Sequence, residues 1–118
     1  MKESIVQKKS FDFSLKIISL YKKLQKEKEF VISNQILRSG TSIGANIEEA
    51  LAGQSKKDFI AKMSISSKEA RETKYWLRLL KESELTNIDV NSLILDIHEL
   101  IRILTSIVKT SQSNLTKN

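Results

Sequence analysis

Apolar residues return at steps of three and four in four successive stretches of this sequence, and no proline interrupts any of them. A stripe with that period lies along one face of an α-helix, so the chain reads as four amphipathic helices. Phe13, Ile17, Leu20, Tyr21 and Leu24 mark the first, predicted over about residues 11–27 with Ser10 as N-cap and Asp12 near the positive helix end. Ile32, Ile36, Ile43, Ile47 and Leu51 mark the second, which ends near Gly53. A cap at Ser55 with Asp58 three residues later opens the third, whose stripe Phe59, Met63, Ser66, Ala70, Thr73, Leu77, Leu80 is small in the middle and bulky at both ends. The fourth carries Leu93, Ile97, Leu100, Leu104 and Ile107 behind an Asp89 cap, and residues 111–118 read as a disordered tail.

Four helices of similar length with short links pack most simply as an all-α, antiparallel, up-down-up-down four-helix bundle. A chain of 118 residues suffices for one such domain, with a core expected over about residues 8–110. Without cysteine there is no disulfide framework and no thiolate ligand or nucleophile. The start lacks a signal-peptide pattern and no later run reaches the ~18 apolar residues of a membrane span, so a cytoplasmic protein with no membrane role is expected.

The stretch "RSGTSIGANIEEA" (38–50) could be mistaken for a phosphate loop. A P-loop needs a preceding strand and a Lys after its second glycine; here no strand precedes it, and Ala45 follows Gly44. The second apolar stripe runs straight through it instead, which puts Gly40 and Gly44 inside a helix. Glycine costs about 1 kcal/mol relative to alanine there. Close approach of a neighbouring helix or subunit is the compensating gain, as in small-xxx-small packing.

A second, mixed face is legible beside the core. Arg38, Ser42, Ala45 and Glu49 share one side of the second helix, and an antiparallel turn near Gln54 sets Arg38 level with Glu69 and Glu72, which flank Trp76 on the third. A face of Trp, Arg, Glu and Ser suggests a subunit interface or polar network, with a solvated flank of surface ion pairs as the alternative.

The segments "QILRSGTSIGANIEEA", "SKKDFIAKMSISSKEARETKYWLRLL" and "LIRILTSIVKT" together resemble the four-helix-bundle proteins encoded in intervening sequences of bacterial 23S ribosomal RNA genes. The resemblance spans about residues 8–110. It implies a compact bundle that assembles as a homo-oligomer, a pentamer around a central channel. More distantly it implies kinship with the accessory protein of diversity-generating retroelements, which works with RNA. No enzymatic activity comes with it.

The residues offer little chemistry of their own. A ferritin-like di-iron site needs Glu-x-x-His, but Leu95 stands three residues before His98, the sole histidine, so no metal site is expected and His98 is assigned to the surface. No nucleophile elbow, cofactor motif or small-molecule site is present, and the expectation is a non-enzymatic protein without cofactors. Charge is more informative. The net +6 is concentrated in residues 1–28, with eight lysines against three acids, and 55–83, with eight basic residues against four acids. Lys68, Arg71, Lys74, Arg78 and Lys81 fall along one side of the third helix, away from its core stripe, with Tyr75 beside them. Such a stripe can track the phosphates of RNA or DNA, with Lys8, Lys9, Lys16, Lys22 and Lys23 assisting. A protein–protein scaffold whose basic face serves solubility is the alternative.

Overall fold

The computed structural model describes residues 4–116. They form α1 (Ile5–Lys26), α2 (Val31–Leu51), α3 (Lys56–Glu82) and α4 (Asn91–Thr116). Each helix packs against its neighbour in sequence and α4 closes back on α1, giving the expected antiparallel four-helix bundle. The bundle is long and narrow, 53 × 26 × 21 Å. No helix among the described residues is long and apolar enough to cross a membrane.

The helix ends follow from local chemistry, and two differ from expectation. α1 begins at Ile5, not near Phe11: the Ser4 hydroxyl accepts from Gln7 N at 3.1 Å and the Gln7 side chain accepts from Ser4 N, a reciprocal capping box. Val6 then extends the buried stripe backwards. Ser10 lies inside the helix, buried, donating to the Gln7 carbonyl, and Asp12 pairs with Lys8 on the surface, away from the helix start. At the other end α4 runs on to Thr116, so residues 111–116 are helical where a disordered tail was expected; no glycine or proline stands there to stop the helix. Residues 117 and 118 lie outside the described residues.

Elsewhere the caps match the sequence. The Ser55 hydroxyl accepts from Asp58 N at 3.0 Å, and the Asp89 carboxylate accepts from Asn91 N at 2.9 Å. α2 has no side-chain cap from Phe30, the residue in the N-cap position; the Glu29 carboxylate serves instead, accepting from Ile32 N and Ser33 N at 2.9 and 2.7 Å.

The core is built from the predicted stripes, except at the end of α2, where Leu51 is exposed and Ala50 is the buried residue. Phe13, Ile17 and Leu24 of α1, Ile36, Ile43 and Ile47 of α2, Met63, Leu77 and Leu80 of α3, and Ile97, Leu100 and Leu104 of α4 are its largest buried side chains. Its waist is small. A Cβ on Gly40 would stand 2.9 Å from Ile17 Cγ2, and one on Gly44 would stand 3.4 Å from Ser10 Oγ, so the glycines admit α1 and not a second subunit. On the α3 side, the Ser66 hydroxyl donates to the Ile43 carbonyl at 2.8 Å, and the Thr73 hydroxyl lies 2.8 Å from that of Ser39. These crossing bonds stand in place of apolar bulk between α2 and α3. No buried side-chain N or O among the described residues lacks a partner, so the small waist carries no desolvation penalty.

Candidate nucleic-acid interface

α3 spans the bundle, and its two flanks differ in charge. The flank beside α2 holds Glu69 and Glu72, with Lys62 paired to Glu49 nearer the start of the helix. Arg38 Nη1 donates to Glu69 Oε2 at 3.3 Å, Arg38 Nη2 is paired with Glu72 Oε2, and the Trp76 indole N–H donates to that same Glu72 oxygen at 2.9 Å. Gln35 Oε1 accepts two further bonds from the guanidinium at 3.2 and 3.1 Å. The sequence placed Arg38 at this level, and it is there. What differs is the need for a partner: these groups satisfy one another within one chain, so their polarity gives no reason for a second subunit. Two residues assigned to the network stand apart from it. Ser42 turns its hydroxyl to the Arg38 carbonyl at 2.7 Å, and Glu49 pairs with Lys62 at 3.2 Å.

The opposite flank, toward α4, holds the basic stripe. Lys68, Arg71, Arg78 and Lys81 are exposed and Lys74 is half-buried. None of the five forms an ion pair among the described residues. Arg71 makes one neutral contact, donating to Thr105 Oγ1 of α4 at 3.3 Å. That contact fixes the α3–α4 register, because level numbers of antiparallel neighbours keep a constant sum. Arg102 falls level with Lys74, and Lys109 level with Ser67. At ~100° per residue both α4 cations share the flank of Thr105. A shallow groove lined by Ser64, Ser67, Arg71, Thr105, Val108 and Lys109 opens there. The basic face is therefore wider than the α3 stripe and takes in Lys109 of α4, which the sequence alone did not indicate, while Arg102 stands between this face and Glu99. The signal available was Thr105 and Lys109 one turn apart, legible only once the register was known.

The lysines of α1 are placed differently. Lys9 is paired with Glu99 and Lys16 with Asp96 at 2.9 Å, both across the α1–α4 seam, while Lys8 bonds Asp12 at 3.4 Å. The hydrogen bond from Lys9, then its charge, with Arg102 adding to them, holds the Glu99 carboxyl below the usual carboxylate range. Three of the five α1 lysines expected to assist the basic face are thus occupied with carboxylates. Only Lys22 and Lys23 of that group form no ion pair among the described residues.

Aromatic and apolar side chains complete the surface. Tyr75 is 56% exposed and its ring meets that of Trp76 edge-on, with centroids 5.2 Å apart and planes at 71°. On the outer face of α1, Phe11, Leu15 and Ile18 recur at helical spacing and remain exposed. His98 is exposed, as expected.

Residues 2–106 match the family model described as 23S rRNA-intervening sequence protein. Among solved structures, the chain is similar to a protein of unknown function from the S23 ribosomal protein family of Bacteroides thetaiotaomicron, with 51% identity and a TM-score of 0.84. The match covers 89% of this chain and 99% of that one. No curated protein matches at a significant level. With a family model matched over nearly its whole length, and a half-identical relative sharing its bundle, the chain belongs to the 23S rRNA-intervening sequence protein family.

Proposed function

We propose that this protein is a non-enzymatic helical bundle that binds RNA or DNA through the α3–α4 basic face. The observation that carries this reading is charge segregation: Lys9, Lys16, Lys62 and Arg38 each have a carboxylate partner from another helix, whereas the five stripe cations have none among the described residues. Unpaired cations on a rigid helix can exchange their counterions for phosphates without first breaking a protein ion pair. No cofactor or metal enters this reading.

The test is the salt dependence of binding. Replacing Arg71, Lys74 and Arg78 together by Gln should flatten the plot of log affinity against log salt by about 0.7 for each lost contact to a single-strand phosphate. Helicity should not change, because none of the three belongs to the buried core. Binding that is absent at about 50 mM salt, or that ignores the triple substitution, would sink the reading.

The scaffold alternative has its own support in Phe11, Leu15 and Ile18, which are 59%, 54% and 36% exposed on one face of α1. A second copy of this chain is the occupant we assign to that stripe. Ile65 and Leu79 lie exposed on the outer face of α3, diagonally across the bundle, and two unlike faces on opposite sides favour head-to-tail rings such as the pentamer implied by the resemblance. A ring would also repeat the basic face and multiply its avidity. A monomeric mass by light scattering of the same preparation would remove the assembly.

A further inference from the structure

We propose that Tyr75 is a base-stacking platform that makes the basic face selective for single-stranded over duplex nucleic acid. The proposal rests on the nucleic-acid reading above and adds to it the form of the ligand. Cations alone do not distinguish a strand from a duplex, since both offer phosphates. An aromatic ring does, because only an unpaired base can leave its neighbours and lie on it.

Three features of Tyr75 fit that role. It is exposed and held at the same time. Trp76 meets the Tyr75 ring edge to face, Glu72 anchors the Trp76 indole N–H at 2.9 Å, and Arg38 grips Glu72 in turn. The chain of contacts restrains the ring from one side and leaves more than half of the residue open to solvent. A restrained platform loses little rotamer freedom on binding, so more of the stacking energy appears as affinity. Second, Tyr75 lies within the stripe, four residues after Arg71 and three before Arg78, about 6 and 4.5 Å along the helix axis. A strand whose phosphates meet those two arginines passes over the ring. Third, the shallow groove that includes Arg71, Thr105 and Lys109 opens one turn before Tyr75 and can carry the backbone of a strand onto the ring.

The test uses the full chain with labelled oligo-rU, oligo-dT and a GC hairpin of similar length at about 50 mM salt. Wild type should bind both single strands more tightly than the hairpin, and the two similarly, since stacking does not read the 2′-hydroxyl. Tyr75→Ala should weaken single-strand binding about 5- to 100-fold, leave hairpin binding unchanged and leave the salt slope unchanged. Tyr75→Phe should retain wild-type affinity, because the ring and not the hydroxyl carries the contact. Equal binding of hairpin and single strands, indifference to Tyr75→Ala, or loss of binding in Tyr75→Phe would each overturn the proposal. So would a strong preference for the ribo strand, which would move the selectivity to the sugar. If salt-dependent binding persists in those cases the basic-face reading survives alone; if wild type binds none of the three, both fall.

Discussion

Adding one methyl group at Gly40 tests how the waist of the bundle is built. Gly40→Ala should raise the helix propensity of α2 by about 1 kcal/mol, and in an open helix that gain would be realised as stability. Here the new Cβ would stand 2.9 Å from Ile17 Cγ2, 3.0 Å from Cγ1 and 3.4 Å from Cβ. Optimal carbon–carbon separations are about 3.5–4.0 Å, so α1 and α2 must part by more than half an ångström or Ile17 must leave its rotamer. Ile17 is fully buried and branched at Cβ, which leaves it no easy alternative. Overpacking of this kind costs about 1–3 kcal/mol. The net expectation is a loss of up to ~2 kcal/mol, or roughly 4 °C in melting temperature per kcal/mol for a domain of this size. Gly44→Ala supplies the control one turn away. Its Cβ would meet Ser10 Oγ at 3.4 Å and Ser10 O and Ser14 Oγ at 3.5 Å, close to ordinary contact, so the propensity gain should survive as up to ~1 kcal/mol of stabilisation. Ile17→Ala removes both clashing γ-carbons, and in that background Gly40→Ala should become stabilising. The assay is a double-mutant cycle on thermal or urea unfolding. A Gly40→Ala effect of the same sign and size with and without the Ile17 side chain would refute the argument that this contact sets the helix spacing.

The other predictions concern a helix end and the α1–α4 seam. Lys28 sits at φ 65° just past the end of α1, where Glu29 N donates back to Leu24 O and Lys28 N to Gln25 O, so Lys28→Gly should stabilise the fold by about 1 kcal/mol in urea unfolding. A decrease would mean that the lysine side chain makes a compensating contact. Because Lys9 holds the Glu99 carboxyl below its ordinary range, that pair adds stability above the unfolded pKa of Glu, and the contribution fades as pH falls through the lower folded value. In an NMR titration, Lys9→Met should raise the Glu99 pKa toward the ordinary carboxylate range; no change on removing Lys9 would contradict the cause assigned here.

The fold was legible because the core stripes are long and one-sided. Ile36, Ile43 and Ile47 could lie on one face only if the segment containing Gly40 and Gly44 was helical, and the lack of a preceding strand and of a Lys after Gly44 excluded a phosphate loop. Helix ends were harder to read. Ser10 looked like an N-cap because it is a hydroxyl residue just before an apolar run, but Ser4 with Gln7 offers two reciprocal bonds, and Val6 has a place in the core. The tail failed for the complementary reason: polar composition says where a helix gains no burial, not where it must stop. Residue levels across α2 and α3 followed from counting back from Gln54, which is why Arg38 was found opposite Glu69 and Glu72. The count could not say whether those side chains would meet each other or wait for a partner, since that depends on rotamers and on a separation set by small residues at the waist.

That outcome changes what the charge pattern means. On an isolated α3, Glu72 stands four residues after Lys68, a spacing at which such residues pair on a helix surface. In the bundle, Arg38 from α2 takes both Glu69 and Glu72, and the Trp76 indole adds a second donor to Glu72, so neither carboxylate turns toward the stripe. Lys68 is left without an ion-pair partner among the described residues, and Arg71 with only the neutral hydroxyl of Thr105. The α2–α3 network is partly exposed and adds little to stability as a set of surface ion pairs. Its larger consequence is electrostatic: by holding Glu69 and Glu72 on one flank it leaves the other flank predominantly positive, in line with Lys109 of α4, with Glu82 near the helix end as an acid that remains on that side. The network and the basic face are therefore two results of one arrangement, in which a single arginine one helix away determines which charges of α3 remain available to a ligand.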